Sequence, residues 1–490
     1  MTQAARADLV ELSEPLVAGS LVNADLAPTP IDARTWGRWH IASLWVGLSV
    51  CIPTYMLAAG MIQAGMTWWQ SLLAILLGNA IVLIPMIVNA HAGTRYGIPF
   101  PVYARAAYGP RGAHLPALLR AIVSCGWFGI QTWIGGLALS ALIGFLWPGW
   151  TQLGGDWRFM GYGLPAFAGF FLFWLINLWF VWAGTESIKW METAAAPFLI
   201  LIGLALLGWA MAKVGGLGVI LRQSDALMAA RQNLTGGKWL LDVFVPWVTA
   251  MVGYWATLSL NIPDFTRFAR SQADQAVGQA VGLLTTMPLF AFIGIAVTSA
   301  TVLLYGQAIW NPVDLVSRLV AESHSPLLGI VAMLAILVAT LTTNVAANVV
   351  APANSFANLS PQRVSFRTGG LLAGLLGIAI LPWKLLDMYQ GWLISYSGLL
   401  GAVGGVIVCD YLVLRRGKLV LGDLYRHDGT YSYTDGVNWS AIAATMAGIA
   451  VALIGLVTPA LRFLFSGAWF SAAIVSFVTY YLLMRPRKTQ

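Results

Sequence analysis

The sequence predicts an all-α membrane protein with about 12 transmembrane helices. Of its 490 residues, 59% are hydrophobic and only 9% are charged, whereas an ordinary soluble domain carries roughly 25% charged residues. Apolar runs recur at about the 20 residues that a helix needs to cross a bilayer. The stretches between these runs are too short for a soluble domain, so we expect a single domain that lies in the membrane.

The apolar runs define the predicted spans. The third run is longer than one perpendicular crossing, which indicates a tilted helix or an interfacial extension, and the ninth is short. A tail at 1–38 precedes the transmembrane domain at 39–485, and a short tail follows at 486–490. The spans are predicted at 42–64, 69–91, 114–147, 164–183, 193–213, 242–262, 279–303, 327–351, 368–382, 389–413, 439–457 and 468–484.

The charge pattern predicts the orientation. Most of the 27 lysines and arginines fall on one side of the membrane if both termini are cytoplasmic, and positively charged loops stay on that side. The first ~35 residues lack the basic start and apolar core of a signal peptide, so we interpret them as a cytoplasmic tail. Topology and contact with anionic lipid explain the net charge of +8, so no nucleic-acid partner is expected.

Catalytic and metal-binding patterns are missing from the sequence. The five histidines lie in loops or near span ends without a HExxH motif or a clustered carboxylate pair. The three cysteines, Cys51, Cys125 and Cys409, fall in predicted spans without CxxC spacing, as is typical of buried, inert thiols. We therefore predict that the protein is not an enzyme and carries no cofactor.

Two interrupted helices favour a transporter over a channel, because broken helix ends supply backbone groups to a substrate at mid-membrane. The first span, LWVGLSVCIPTYMLAAG, has Gly47 and Pro53 around a stretch that proline disfavours as helix. The sixth, VTAMVGYWATLSLNIPDF, has Gly253 in the middle and Pro263 near its end. This spacing suits inverted repeats of five spans each. Glycine and proline are common in membrane helices, so ordinary helices remain an alternative.

Polar side chains on two spans indicate a binding site. Trp127 and Gln131, within CGWFGIQTW, are four residues apart and share one helix face. A buried amide needs a partner, which is either a neighbouring helix, in a stapling role, or a ligand. In the eighth span, Asn344 and Asn348 also share a face.

The type of ligand follows from these groups. Indole faces stack on flat rings, and an amide offers a donor and an acceptor together. The substrate predicted from these groups is a flat, uncharged heterocycle with adjacent N–H and C=O groups. Because the spans offer neutral oxygens rather than mid-membrane Asp, Glu or His, Na⁺ fits better than a proton relay as the coupling ion.

Four segments resemble the nucleobase:cation symporter-1 family, which includes permeases for hydantoin, allantoin, uracil or dihydropyrimidine, and cytosine. The similarity runs from about Thr35 to the C-terminus. The segments are CGWFGIQTW, MVGYWATLSLNIPDFTRFA, TTNVAANVVAPANSFANLS and CDYLVLRRGKLVLGDLYR. The resemblance implies a LeuT-like fold with two inverted five-helix repeats, here 39–213 and 240–413, followed by two extra helices at 439–484. It also implies alternating access in the inner membrane of a bacterium.

The same resemblance implies roles for individual residues. Trp127 and Trp255 would sandwich the ring, Gln131 and Asn348 would bind its amide edge, and Asn344 would support the site. Cys51 stands where the hydantoin transporter and allantoin-type members have an amide, as it does in uracil or dihydropyrimidine members, and Tyr254 stands where the hydantoin transporter has glycine. An Na⁺ site is implied at the backbone carbonyls of Gly47, Val50 and Ala339 and at the hydroxyls of Thr342 and Thr343.

We therefore expect a symporter that imports a nucleobase or cyclic ureide, with uracil, dihydropyrimidine and hydantoin compounds ahead of allantoin. The coupling ion is expected to be Na⁺, and H⁺ is the alternative. A membrane receptor that binds the ring without moving it is a further alternative. The expected partners are the heterocycle and membrane lipid, without an obligate protein partner.

Overall fold

The computed structural model describes residues 8–12, 14–16, 21–22, 24–183, 185–231, 236–360 and 362–485. Within these ranges, side chains are not described for 185–196, 229–231, 346, 350, 351 and 366. The described chain is almost entirely helical, as predicted, with one short β-hairpin at Arg158–Phe159 (β1) and Tyr162–Gly163 (β2).

The helices before residue 232 begin with a broken pair and continue as long apolar helices. Short 3₁₀ turns lie at Ile31–Ala33 and Pro148–Gln152. The α-helices are α1 (Arg38–Ser49), α2 (Ile52–Gln63), α3 (Trp68–Tyr96), α4 (Phe100–Tyr108), α5 (His114–Leu146), α6 (Leu164–Ala183), α7 (Thr185–Val214) and α8 (Leu217–Arg231).

The helices after residue 235 alternate long spans with short connecting helices. π-Helical turns lie at Leu240–Phe244 and Cys409–Leu414, and 3₁₀ turns at Gly422–Tyr425 and Pro459–Leu461. The α-helices are α9 (Gly236–Trp239), α10 (Val245–Asn261), α11 (Pro263–Thr266), α12 (Gln272–Tyr305), α13 (Pro312–Ser323), α14 (Pro326–Asn348), α15 (Val350–Leu359), α16 (Phe366–Ala379), α17 (Pro382–Asp387), α18 (Tyr389–Val408), α19 (Trp439–Val457), α20 (Arg462–Ser466) and α21 (Ala468–Met484).

All twelve predicted apolar runs fall on helices of the structure. In the described residues, 9 helices are long and apolar enough to cross a membrane, or up to 11 if two bent pairs each count as one span. The ninth predicted run corresponds to the shorter apolar helix Arg367–Ala379. The difference from twelve therefore comes from two bends and one short helix, because the prediction used apolar length alone.

The predicted interruption of the first span is confirmed. α1 and α2 meet at an angle of 59°, and Cys51 between them has an extended backbone with φ −149° and ψ 161°. Pro53 explains the break, since it lacks the N–H that would donate to the carbonyl of Ser49 and its ring would clash with that carbonyl in a continuous helix. The break leaves helix-end carbonyls and amides inside the membrane.

The predicted interruption at Gly253 is wrong, because α10 runs through it without a break. Pro263 only begins the short helix α11 after Ile262. A Cβ on Gly253 would lie 2.6 Å from the carbonyl oxygen of Leu393 on α18. The glycine therefore serves close helix packing instead of a helix break, and the two uses of glycine look alike in sequence.

The described part of the N-terminal tail packs against the helices through Arg34. Its guanidinium is 1% exposed and donates to the carbonyls of Thr29 (2.9 Å), Val10 (3.0 Å), Thr94 and Arg95 (both 3.1 Å). Burial lowers the pKa of Arg34 to about 10, although the negative charge of Glu11 acts to raise it. Arg34 therefore stays protonated at neutral pH and ties the tail to the end of α3.

Candidate functional site

Four helical elements enclose a small cavity in the core. They are the break between α1 and α2, the middle of α5, the second half of α10 and the C-terminal end of α14. The cavity has a volume of about 30 Å³, which is room for about two water molecules. Its lining residues are Leu48, Cys51, Trp127, Gln131, Tyr254, Trp255, Thr257, Leu258, Thr343, Ala347 and Asn348.

The structure brings most of the predicted site residues together. Seven of the lining residues were named from the sequence as substrate or ion ligands: Cys51, Trp127, Gln131, Tyr254, Trp255, Thr343 and Asn348. The other predicted residues, Asn344, Gly47, Val50, Ala339 and Thr342, do not line the cavity. No motif or spacing in the sequence singled out Leu48, Thr257, Leu258 or Ala347.

Trp127 and Gln131 face the cavity from α5. The indole Nε1 of Trp127 donates to the hydroxyl of Tyr396 at 3.1 Å, and that hydroxyl donates to the carbonyl of Gly253 at 2.8 Å. Gln131 is 4% exposed, and its Oε1 has no hydrogen-bond partner within the described part of the chain. Gln131 therefore presents a buried acceptor at the cavity wall.

Trp255 faces the same cavity from α10 with its indole held in place. Its Nε1 lies 2.9 Å from Asn79 Oδ1 and 3.0 Å from Met287 Sδ, and it donates to both. Trp45 packs edge-on against the ring at a centroid distance of 5.0 Å and an interplanar angle of 82°. The N–H is satisfied by protein, so the indole is held in one orientation at the cavity wall.

Asn344 lies behind the cavity and joins three helices. It is 0% exposed, and its Nδ2 lies within 3.1 to 3.2 Å of Phe128 O and Thr132 Oγ1 on α5 and Asn177 Oδ1 on α6. Its Oδ1 accepts from Asn348 Nδ2 at 3.1 Å. These bonds fix the orientation of Asn348 at the cavity wall.

Tyr254 reaches from α10 to the start of α2. Its hydroxyl lies 3.0 Å from Thr54 Oγ1 and 3.2 Å from Cys51 Sγ, and those two atoms are 3.3 Å apart. The phenol ring stands edge-on to Trp127, with centroids 5.1 Å apart, and to Trp255, with centroids 4.8 Å apart. Tyr254 therefore occupies part of the space between the two indoles.

The predicted cation ligands lie around the helix break and α14. Thr342 Oγ1 lies 3.0 Å from Ala339 O and donates to it, so two of the predicted oxygens are neighbours. The Ser49 hydroxyl, at the end of α1, is buried without a partner among the described residues. No group of three or more His, Cys, Asp or Glu in the described ranges suits a metal ion. The neutral oxygens present suit an alkali cation better than a transition metal.

A set of aromatic residues on α18 was missed from the sequence. Trp392 and Tyr389 pack edge-on against Trp127, with centroids 4.9 Å and 6.0 Å away. The hydroxyl of Tyr389 donates to the carbonyl of Pro53 at 3.2 Å. The only sequence signal is a spacing of three residues from Tyr389 to Trp392 and of four from Trp392 to Tyr396, which any apolar helix face can show.

Comparison with known proteins gives the family. A family profile described as permease for cytosine/purines, uracil, thiamine and allantoin matches residues 28–479. The chain belongs to this permease family. The resemblance seen in the sequence motifs is thereby confirmed, and the protein is a membrane permease rather than an enzyme.

Curated relatives of the permease match it over most of its length. The purine-uracil permease NCS1 of Arabidopsis thaliana is 44% identical over 88% of this chain and 70% of its own length. The allantoin permease of Bacillus subtilis is 40% identical over 95% of this chain and 93% of its own length. The hydantoin permease of Microbacterium maritypicum is 30% identical over 91% and 86%.

Solved structures share the fold of the permease. The inward-facing conformation of Mhp1 matches with a TM-score of 0.76 and 27% identity, over 96% of this chain and 95% of that one. Mhp1 in a closed conformation with bromovinylhydantoin bound, described as a nucleobase-cation-symport-1 family transporter, matches with a TM-score of 0.75. A Na⁺-coupled sialic acid symporter at 13% identity shares the fold alone, with a TM-score of 0.63. The LeuT-like helical fold predicted from the sequence is confirmed.

Proposed function

We propose that this permease imports a flat, uncharged heterocycle of the uracil, dihydropyrimidine, hydantoin or allantoin type, and that an inward Na⁺ gradient drives the import. The observation that carries the proposal is the Gln131 Oε1 atom, buried without a described partner at a cavity between two indoles. A ring N–H would satisfy this acceptor. The names of the relatives, which include allantoin, hydantoin and uracil permeases, support the same class of substrate.

The substrate is held by stacking and by its amide edge. The indoles of Trp127 and Trp255 offer faces for the ring, and stacking contributes about 1 to 3 kcal/mol for each base-like ring. Gln131 and Asn348 offer donors and acceptors to the edge, each net hydrogen bond contributing about 1 kcal/mol. The cavity of about 30 Å³ is smaller than such a ring, so substrate binding requires the walls to move apart. This requirement suits an alternating-access cycle.

The cation is proposed to bind where the first span is broken. α1 ends at Ser49, and the negative end of a helix dipole favours a cation. The proposed ligands are the carbonyls of Gly47, Val50 and Ala339 and the hydroxyls of Thr342 and Thr343. Thr343 also lines the cavity, so ion and ring would share one wall of the site. Binding of the ion would order the shared wall for the ring, and binding of the ring would order it for the ion. This mutual effect would couple the two binding steps.

The proposed setting is the inner membrane of a bacterium with both termini in the cytoplasm. The inverted repeats are proposed at 39–213 and 240–413, with extra helices at 439–484. The tail at 486–490 and parts of the tail at 1–38 lie outside the described residues. The positive charge of the predicted cytoplasmic loops supports this orientation.

Uptake into proteoliposomes tests the proposal. Radiolabelled uracil, hydantoin and allantoin are offered in turn, with an inward Na⁺ gradient or with choline replacing Na⁺. We expect at least one ring to accumulate above its equilibrium level with Na⁺ and not with choline. Trp127→Ala should abolish this uptake, whereas Trp179→Ala, at a residue 63% exposed on the outer face of α6, should retain it.

Three outcomes would contradict the proposal. Saturable binding without accumulation would indicate a receptor. Accumulation that continues in choline but collapses with a protonophore would replace Na⁺ by H⁺ as the driving ion. No binding of any of the three rings by folded protein would reject the substrate class.

A further inference from the structure

We propose that Tyr254 is a specificity-determining residue, which restricts the permease to single rings with no substituent as large as a phenyl group and donates its phenol proton to a ring carbonyl. This inference rests on the proposed function, because it concerns the same cavity. The proposed function names a class of heterocycle. The role of Tyr254 adds the size of ring that fits and the group that donates to the ring carbonyl.

The position of the Tyr254 phenol limits the size of ring that the cavity accepts. Tyr254 is 6% exposed, and its ring is nearly perpendicular to both indoles, at 79° to Trp127 and 88° to Trp255. A ligand ring that stacks on either indole must therefore lie beside the edge of this phenol. Trp392 also packs against Trp127, with an interplanar angle of 69°, which further limits the space beside that indole.

The contacts of the Tyr254 hydroxyl indicate that it can donate to a ring carbonyl. The hydroxyl of Tyr254, the hydroxyl of Thr54 and the thiol of Cys51 form a triangle with sides of 3.0, 3.2 and 3.3 Å. Each of these groups has one proton to donate. The thiol is a weak acceptor, so turning the phenol proton away from it costs little. A ring carbonyl in the cavity would be a stronger acceptor than the sulfur.

The triangle also joins the proposed substrate site to the helix break. Cys51 is the extended residue between α1 and α2, and Thr54 lies in the first turn of α2. When the phenol donates to a substrate, it gives up one contact to the broken span. Substrate binding would thus change the contacts of the segment where the cation is proposed to bind.

Binding assays with two hydantoins test the inference. The ligands are hydantoin and 5-phenylhydantoin, offered to purified protein in Na⁺, with dissociation constants measured by thermal shift. We expect the wild type to bind hydantoin at least about tenfold more tightly than the phenyl derivative. Tyr254→Ala should reduce this ratio to about threefold or less, because the phenol no longer fills the space beside the indoles.

Conservative variants separate the ring from its hydroxyl. Tyr254→Phe should keep the size ratio and weaken both ligands about fivefold to tenfold, the worth of one hydrogen bond. Thr54→Val should leave hydantoin affinity unchanged or increase it, since it removes a competitor for the phenol proton. Tyr305→Phe is the matched control and should bind both hydantoins as tightly as the wild type does. Tyr305 lies at the end of α12 that is predicted to face away from the cytoplasm.

The outcomes distinguish this inference from the proposed function. If folded wild type binds uracil, allantoin and both hydantoins no more tightly than background, the proposed function fails. If it binds both hydantoins equally, or if Tyr254→Ala leaves their ratio unchanged, the role of Tyr254 in size selection fails alone. A loss in Thr54→Val as large as in Tyr254→Phe would show that the triangle itself, rather than a contact from phenol to substrate, supports binding.

Discussion

Replacing Gln131 by leucine distinguishes an amide that binds substrate from one that staples helices. The side chain is 4% exposed, and its Oε1 has no partner among the described residues. A buried polar atom without a partner costs about 1 to 3 kcal/mol, and leucine fills a similar volume without that cost. We therefore expect ligand-free Gln131→Leu to be as stable as the wild type or up to about 2 kcal/mol more stable.

Substrate binding should move in the opposite direction. A ring that donates to Gln131 Oε1 loses that hydrogen bond in the variant and leaves its own N–H buried and unpaired. The combined loss is about 2 to 4 kcal/mol, which corresponds to a roughly 30- to 700-fold weaker dissociation constant. Stability and affinity thus change with opposite signs at one residue.

Thermal unfolding with and without ligand measures both effects. At a ligand concentration of about 100 Kd, binding stabilises the wild type by about 2.7 kcal/mol. If the variant binds 100-fold more weakly, the same concentration stabilises it by only about 0.4 kcal/mol. Gln279→Leu, which replaces another buried glutamine with an unpartnered Oε1 outside the cavity, should retain the full ligand effect. If Gln131→Leu instead has reduced ligand-free stability and keeps the full ligand effect, Gln131 staples helices and does not bind substrate.

Three further predictions follow from the described contacts. Trp127→Phe keeps an aromatic face but removes the hydrogen bond to Tyr396, so ring affinity should fall about fivefold in a thermal-shift titration; unchanged affinity would contradict the role of that bond. Thr342→Val should reduce Na⁺-stimulated uptake about tenfold or more, as expected for the loss of a cation ligand, while ring binding without Na⁺ is retained; a normal response to Na⁺ would exclude Thr342 as a ligand. Arg34→Gln loses charged hydrogen bonds to four carbonyls and should reduce unfolding stability by about 3 kcal/mol or more. Since Arg34 has a pKa of about 10, this loss should be equal at pH 6 and pH 8, and a loss below about 1 kcal/mol would contradict the account.

Local patterns in the sequence predicted those parts of the structure that depend on neighbours along the chain. Apolar length predicted the helices, and Pro53 predicted the break at Cys51 because proline acts on the residues next to it. A spacing of four residues placed Trp127 and Gln131 on one face of α5. Each of these effects is complete within one or two helical turns.

Contacts between distant helices could not be predicted in this way. Gly253 is a packing glycine because of α18, a helix that the sequence does not assign as its partner. The indole N–H groups of Trp127 and Trp255 find acceptors 269 and 176 residues away, on Tyr396 and Asn79. No spacing rule reaches that far. Trp255 itself entered the predicted site only through the resemblance of its motif to a family.

A structure determined with Na⁺ and a bound ring would show directly whether the substrate binds between the two indoles. We expect the ring in the cavity between Trp127 and Trp255, with a ring N–H within hydrogen-bond distance of Gln131 Oε1 and the phenol of Tyr254 moved from its present place. A ring bound elsewhere, with the phenol still edge-on to both indoles and no space between them, would contradict this expectation.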